Sequence, residues 1–224
     1  MDGECVYCGA IGPITRDHVP PKGIFSEPRP DNLITVPACS QCHNSDVSKD
    51  DEYFRLILQV REEIHKHPDA LKSYPALLRS LTRPQKAGMM NAFLKSIFLA
   101  DLVTPSGIFI KKQLAIQTDM NRLRKVVTRI LKGLFYYHRE YRLPDGYDAL
   151  VFDERSVQEW PPANLAEFSK NFIQPLLAHD GVTLGNNVFT YRFGFNKSDL
   201  NTTCWIFEFY GQARFLGLTL PPEK

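Results

Sequence analysis

The chain lacks the features that mark membrane-spanning, secreted or disulfide-rich proteins. None of its apolar runs approaches the roughly 18 to 20 residues that a membrane-spanning helix needs. A metal-type motif begins at Cys5, where a secretory signal peptide would otherwise lie. Four of the five cysteines stand in metal-type spacing rather than in a disulfide framework, which indicates a reducing compartment. We therefore expect a cytoplasmic protein with no membrane partner.

Internal repeats and low-complexity tracts are also missing. The sequence therefore does not have the pattern of a repeat solenoid or of a long disordered tail. Its 224 residues suffice for one large domain or two small ones with a hydrophobic core. Hydrophobic residues at 43% and charged residues at 23% are typical of a globular protein.

The chain has no large excess of positive or negative charge, because its net charge is only +2. The charges are nevertheless unevenly placed along the sequence. Residues 1–50 hold seven acidic and four basic side chains, whereas residues 111–142 hold nine basic and two acidic ones. If the chain binds nucleic acid, phosphate attraction must come largely from the second region. The alternative is that this region is an ordinary solvated helix face.

Two CxxC pairs within the first 44 residues are the most informative feature that is present. Each pair forms a tight turn whose two thiolates reach one ion, and two pairs supply the four sulfurs of a closed structural zinc site. Disulfides and simple packing are the alternatives. We predict a structural Zn²⁺ site made of Cys5, Cys8, Cys39 and Cys42.

Four polar residues near these pairs are not needed by a closed zinc site. His18 has the pKa range of a general base that activates water. Asp17 offers a hard oxygen ligand to a divalent ion, and His43, which directly follows a zinc ligand, offers a second ligand. Asn32 is expected to hydrogen-bond loop backbone and to orient His18. The alternatives are a surface or zinc-adjacent role for each histidine, a capping role for Asp17 and a purely structural role for Asn32.

Taken together, these elements resemble the zinc-containing HNH endonuclease family over about 50 of the 224 residues. The resemblance implies the ββα-metal fold, in which two short strands, a loop and a helix hold one divalent ion. It also implies that His18 is the general base, that Asp17 and His43 bind Mg²⁺ or another divalent cation, and that Asn32 fixes the loop. One departure is that Asp46 stands three positions after His43, and Asn44 is an alternative ligand. The resemblance is carried by Cys5-x2-Cys8, Asp17-His18-Val19-Pro20, Asn32-Leu33 and Cys39-x2-Cys42-His43.

The predicted fold class is α+β. We expect an HNH nuclease module with structural zinc and a following helix at residues 1–67, a helical basic region at 68–148 and an α+β region with antiparallel strands at 149–224. A capping box at residues 48–51 predicts a helix that runs to about His67. Other patterns predict helices at 86–102 and 112–141, a turn at 104–107, and strands at 188–195, 204–210 and 214–220.

Three functions fit this sequence. The leading hypothesis is a metal-dependent endonuclease that hydrolyses phosphodiester bonds, with DNA as the expected nucleic-acid partner. The second is a catalytically inactive zinc-dependent protein that binds nucleic acid on an HNH scaffold. The third is a partner-binding protein, for example a subunit of a defence system. A homodimer is a further expectation, because one nuclease site cuts one strand and a double-strand cut needs two sites or two passes.

Overall fold

The N-terminal strands place the candidate residues on two faces of one small sheet. The computed structural model describes residues 2–104 and 106–222. Within them, the first antiparallel sheet has the order β1-β2-β3, and β2 pairs with β3 so that Asp17 lies opposite Val36 and His18 opposite Thr35. Because side chains alternate along a strand, Asp17 lies on the buried face and His18 on the other. The strands are β1 Asp2–Glu4, β2 Ile11–Val19 and β3 Ile34–Cys39.

The first helix, α1, spans Ser45–Gln59. Asn44 caps it, because the side-chain oxygen of Asn44 accepts hydrogen bonds from two backbone amides of the first turn. The predicted start at residues 48–51 is therefore too late, and the predicted end near His67 is too late as well. A 3₁₀ turn at Glu62–Lys66 follows α1, and α2 spans Pro68–Leu81.

The longest helix, α4, spans Met120–Arg139 and lies at the centre of the molecule. Its apolar side chains belong to one continuous core that also contains residues of the N-terminal sheet, α1 and the C-terminal sheet. Gly133 of α4 lies against Val19, where an added Cβ would come within 2.6 Å of a Val19 methyl group. The core residues that α4 supplies are Leu123, Val126, Val127, Ile130, Leu131, Leu134 and Phe135.

A β-hairpin replaces part of the helix predicted in the basic region. Helix α3 covers only Ala87–Lys95, and it is followed by β4 Ile97–Val103 and β5 Phe109–Ile116, which pair antiparallel. The prediction of helix over 97–102 and 112–116 is wrong because this stretch is rich in Ile, Phe and Leu, and short apolar runs do not separate helix from strand by periodicity. The predicted turn at 104–107 includes Pro105, which lies outside the described residues.

The C-terminal part forms a five-stranded antiparallel sheet with the order β6-β10-β9-β8-β7. The three strands predicted there are confirmed within one residue or so at each end. The sheet packs Phe and Trp side chains against α4. None of the helices in the described residues has the length and apolarity to cross a bilayer. The strands are β6 Asp148–Asp153, β7 Val182–Leu184, β8 Phe189–Phe195, β9 Thr203–Phe209 and β10 Ala213–Leu220, and the short helices α5 Glu154–Gln158, α6 Pro162–Phe168 and α7 Gln174–Leu177 lie between β6 and β7.

Candidate metal centre

The four cysteines of the two CxxC pairs meet at one point. Their sulfur atoms all lie within 4.8 Å of one another, and the sulfurs of Cys8 and Cys39 are 3.7 Å apart. A tetrahedral zinc site with bonds of about 2.3 Å has sulfur–sulfur edges of about 3.8 Å. The donor set and its spacing therefore fit a structural Zn²⁺, as the sequence predicts.

Backbone hydrogen bonds hold the two cysteine pairs in place. The Gly9 amide donates to the Cys5 carbonyl at 2.9 Å, and the His43 amide donates to the Cys39 carbonyl at 3.0 Å. Hydrogen bonds from the backbone amide of Cys42 and from the neighbouring thiols of Cys5 and Cys8 favour the thiolate of Cys39 and lower its pKa to about 7.

The fifth cysteine has a different environment. Cys204 is buried in β9, and burial raises the pKa of its thiol to about 12. A thiol of this kind is a packing residue rather than a ligand, so Cys204 provides an internal comparison for the cysteine cluster.

The carboxylate of Asp17 is buried and uses its two oxygens differently. Oδ2 accepts hydrogen bonds from the Tyr7 hydroxyl at 2.7 Å and from Nη2 of Arg129 at 2.8 Å. Oδ1 faces Nε2 of His43 at 3.7 Å. One oxygen is therefore fixed by the protein, and the other is directed at the histidine that the sequence pairs with Asp17.

The Thr15 hydroxyl lies between a backbone carbonyl and His43. Its oxygen is 3.2 Å from the Ala38 carbonyl, to which it donates, and 3.0 Å from Nδ1 of His43. Nδ1 is therefore held by the protein, and Nε2 is the ring nitrogen that faces Asp17. Metal-binding histidines have the same division, with the outer nitrogen held by a hydrogen bond.

Oδ1 of Asp17 and Nε2 of His43 are 3.7 Å apart. With metal–ligand bonds of about 2.1 Å, two ligand atoms are about 3.0 Å apart when adjacent and about 4.2 Å apart when opposite, so the observed distance lies between these two values. An oxygen and a nitrogen donor therefore face each other here, as they also do in a carboxylate–histidine ion pair without a metal.

His18 lies on the other face of β2 and has a different environment. Its ring is partly buried and makes no side-chain hydrogen bond with any residue that the structure describes. Burial and the positive charges of Lys22 and Arg29 lower the pKa of His18, although the negative charge of Asp17 opposes them. The neutral imidazole is therefore favoured near neutral pH, as a general base requires.

The two asparagines have structural partners. Asn32 is exposed, and its amide nitrogen lies 3.5 Å from the Thr183 carbonyl of β7 rather than bonded to His18. Asn44 uses its side-chain oxygen to cap α1 by accepting from the amides of Asp46 and Val47. That oxygen is thereby occupied, which favours His43 over Asn44 as the ligand beside Asp17.

Sequence reasoning missed the residues that surround Asp17. Arg129 bridges two carboxylates, since Nη2 contacts Asp17 and Nη1 contacts Asp51 at 2.9 Å. Burial raises the pKa of Asp51 to about 6, and the positive charge of Arg129 opposes that rise. Alternation along β2 predicts that Thr15 lies on the same face as Asp17, so Thr15 could have been identified from the sequence. The pairing of Asp17 with Arg129, 112 positions later, has no local signal.

The basic region is less free than its composition indicates. Arg122 pairs with Asp50 at 2.6 Å, and Arg124 lies 3.8 Å from Asp153. With Arg129, three of the six basic side chains on α4 are therefore in ion pairs with carboxylates. Lys125, beside Asn121 and Thr128, lines a cavity of about 610 Å³ between α1 and α4.

Comparison with known proteins identifies no relative. No protein-family model matches the chain, and no curated protein or solved structure matches it. The functional interpretation therefore rests on the chain's own residues.

Proposed function

We propose that this protein is a metal-dependent endonuclease of the HNH type that hydrolyses phosphodiester bonds in DNA. The observation that carries the proposal is the pair formed by Asp17 Oδ1 and His43 Nε2, 3.7 Å apart and each held by hydrogen bonds on its other side. The order of strand β2, strand β3 and helix α1 beside a four-cysteine cluster supports a ββα-metal module.

In this proposal, the residues of the module divide the chemistry. Asp17 and His43 would hold a divalent cation, Mg²⁺ being the first candidate, and the cation would supply positive charge next to the phosphate and the leaving oxygen. His18, neutral at physiological pH, takes the proton of the attacking water. The cysteine cluster holds a structural Zn²⁺ and thereby fixes the backbone on which His43 lies.

Arg129 has a supporting role in the proposal. The carboxylate of Asp17 is buried, and buried charges in proteins are paired. The guanidinium of Arg129, 2.8 Å from Oδ2, supplies that partner without occupying Oδ1. Asp17 is therefore kept ready for a cation on its second oxygen.

The same contact supports a second candidate function. Arg129 already contacts both Asp17 and Asp51, so each of these carboxylates has a positively charged partner without a second metal. A catalytically inactive protein that uses the zinc-stabilised module to bind nucleic acid or a protein partner has the same ion pairs. Catalysis and its metal dependence separate the two candidates.

The test is nicking of supercoiled plasmid DNA by the purified protein with Mg²⁺ or Mn²⁺ and with EDTA. We expect metal-dependent nicking that falls by about 100-fold or more in His18→Ala, the range of a lost general base. The control is His179→Ala, since His179 is an exposed histidine outside the site. Zinc content and circular dichroism of each variant establish that the fold is retained.

Two results oppose the proposal. Nicking that persists in both His18→Ala and His43→Ala assigns the activity to a contaminant or another site. No nicking of any DNA or RNA substrate by zinc-loaded wild-type protein, together with salt-dependent binding of nucleic acid, favours the inactive binding module.

A further inference from the structure

A 35-residue segment of the chain stands outside the hydrophobic core. Within residues 82–104 and 106–116, which we call the hairpin arm, none of the described side chains is buried. The arm consists of α3 and the β4–β5 hairpin. Helix α3 packs the partly buried Met89, Met90 and Phe93 against Leu56 and Leu77, whereas the β4–β5 hairpin extends away from the core with Ile116 at its base.

The exposed surface of the hairpin is strongly apolar on one face. Strand pairing places Leu99 opposite Leu114 and Val103 opposite Phe109, with the pair Asp101 and Lys112 between them. Side chains alternate along a strand, and a register shift between Leu102 and Val103 brings Phe109 opposite Val103, so these six residues share one face, which we call the hairpin face. Its four apolar side chains are exposed by 66% for Leu99, 73% for Leu114, 49% for Val103 and 55% for Phe109.

A hairpin of this composition needs a partner. A two-stranded hairpin is marginally stable alone in water, and fixing each residue costs about 1–2 kcal/mol of conformational entropy. The arm buries no described side chain to offset that cost, and both edges of the two-stranded sheet are unpaired within the described residues. Exposed apolar strands of this kind mark interaction surfaces.

We propose that the hairpin face is the dimer interface between two copies of this chain. A twofold axis parallel to the strands sets Leu99 of each copy against Leu114 of the other. The same axis sets Asp101 against Lys112 of the other copy, so the charges in the middle of the face are also complementary. Asp101 and Lys112 are opposite each other in the strand pair of one chain, and both are exposed, so each can be reached by its counterpart in the second copy.

The exposed apolar surface contributes part of what a dimer requires. Leu99, Leu114, Val103 and Phe109, with Ile108 and Ile110 at the tip, are each about half exposed or more. A standard interface buries about 800 Å² per partner, so polar residues of the two strands must take part as well. A second copy is also the one partner whose charge pattern is known to complement this face, because it carries the same Asp101–Lys112 pair.

The experiment is sedimentation velocity and light scattering of the full chain, loaded with zinc, over a range of concentrations. We expect a dimer for the wild type and a monomer for Leu114→Glu, with at least a tenfold rise in the dimer dissociation constant. The matched control is Leu177→Glu, because Leu177 is 55% exposed on α7, away from the arm. This variant is expected to remain dimeric.

A charge exchange tests the arrangement of the two copies. Asp101→Lys and Lys112→Asp alone each place like charges in contact across the twofold axis and are expected to weaken the dimer by about tenfold. The double variant exchanges the two charges and is expected to restore dimerisation. Because both residues are exposed, these changes test association without threatening the fold.

Three outcomes overturn the inference. They are a wild-type protein that is monomeric at the highest soluble concentration, a dimer that Leu114→Glu leaves intact, and charge variants whose double exchange fails to restore association. A monomer whose hairpin variants lose binding to DNA assigns the face to nucleic acid instead. None of these readings depends on catalysis, so this inference and the proposed nuclease activity fail independently.

Discussion

One hydroxyl orients the histidine of the candidate metal centre. Thr15 Oγ1 lies 3.2 Å from the Ala38 carbonyl and 3.0 Å from Nδ1 of His43. This contact holds the ring so that Nε2 faces Oδ1 of Asp17. Thr15, which is not one of the residues of the HNH resemblance, thereby controls the orientation of His43.

The substitution Thr15→Val tests this control. Valine keeps the shape and β-propensity of threonine but removes the hydroxyl beside His43 Nδ1. We expect the affinity of the site for Mn²⁺, measured by calorimetry, to fall by about 10- to 100-fold, as for other outer hydrogen-bond partners of metal-binding histidines. Thr15→Ser keeps the hydroxyl and is expected to keep the affinity. Equal affinity of both variants for Mn²⁺ would show that the Thr15 hydroxyl does not hold His43 in place for the metal.

At the scale of elements, helix α4 fixes where the candidate site lies relative to the core. Gly133 allows α4 to approach β2 closely at Val19, two residues beyond Asp17. Four residues earlier on the same helix, Arg129 reaches the Asp17 carboxylate. The contact between helix and strand thus positions the ion pair, since residues four apart lie on the same face of a helix.

The substitution Gly133→Ala is expected to destabilise the protein by about 1–3 kcal/mol, because the new methyl group meets Val19 at 2.6 Å inside a packed core. Gly88→Ala is the matched control. Gly88 lies in α3 with no atom near the added Cβ, so the higher helix propensity of alanine is expected to leave stability equal or slightly higher. Urea unfolding monitored by circular dichroism measures both. Equal stability of the two variants would contradict a close contact between α4 and β2.

Some of these elements can be predicted from the local sequence and others cannot. The four-cysteine cluster is predictable because CxxC spacing is itself the geometry of a zinc site. The C-terminal strands are predictable because they are rich in aromatic residues and are bounded by turn residues such as Gly211. The β4–β5 hairpin is not, because its sequence also fits a helix and its exposed face depends on no core. The role of Arg129 could not be predicted for another reason, since only the tertiary fold brings its charge next to Asp17.

At the scale of the whole molecule, the cysteine cluster is not an independent module. The main hydrophobic core runs without interruption from Val6 and Val36 near the cysteines, through α1 and α4, to Trp205 and Phe215 of the C-terminal sheet. The ion pairs of Arg129 join the N-terminal sheet to this core. The Val6 amide donates to the Pro37 carbonyl at 3.1 Å and holds the parts of the N-terminal sheet together. Loss of order at the cysteines is therefore transmitted to the rest of the chain.

Removal of zinc is expected to destabilise the entire chain in one cooperative step. Binding of Zn²⁺ to a four-cysteine site contributes folding free energy directly, and without the ion four thiols remain crowded within 4.8 Å. We expect one zinc per chain, and a fall of roughly 10 °C or more in the melting temperature when a strong chelator or Cys8→Ser removes it, since a loss of a few kcal/mol has that effect in a chain of this size. Cys204→Ser is the control, because it removes a thiol outside the cluster and is expected to keep the zinc.

One hydrophobic core joins the N-terminal sheet to the C-terminal sheet. Calorimetry is therefore expected to show a single unfolding transition before and after chelation. A second, zinc-independent transition would instead mean that the cysteine module unfolds alone, and that α4 does not couple it to the C-terminal sheet.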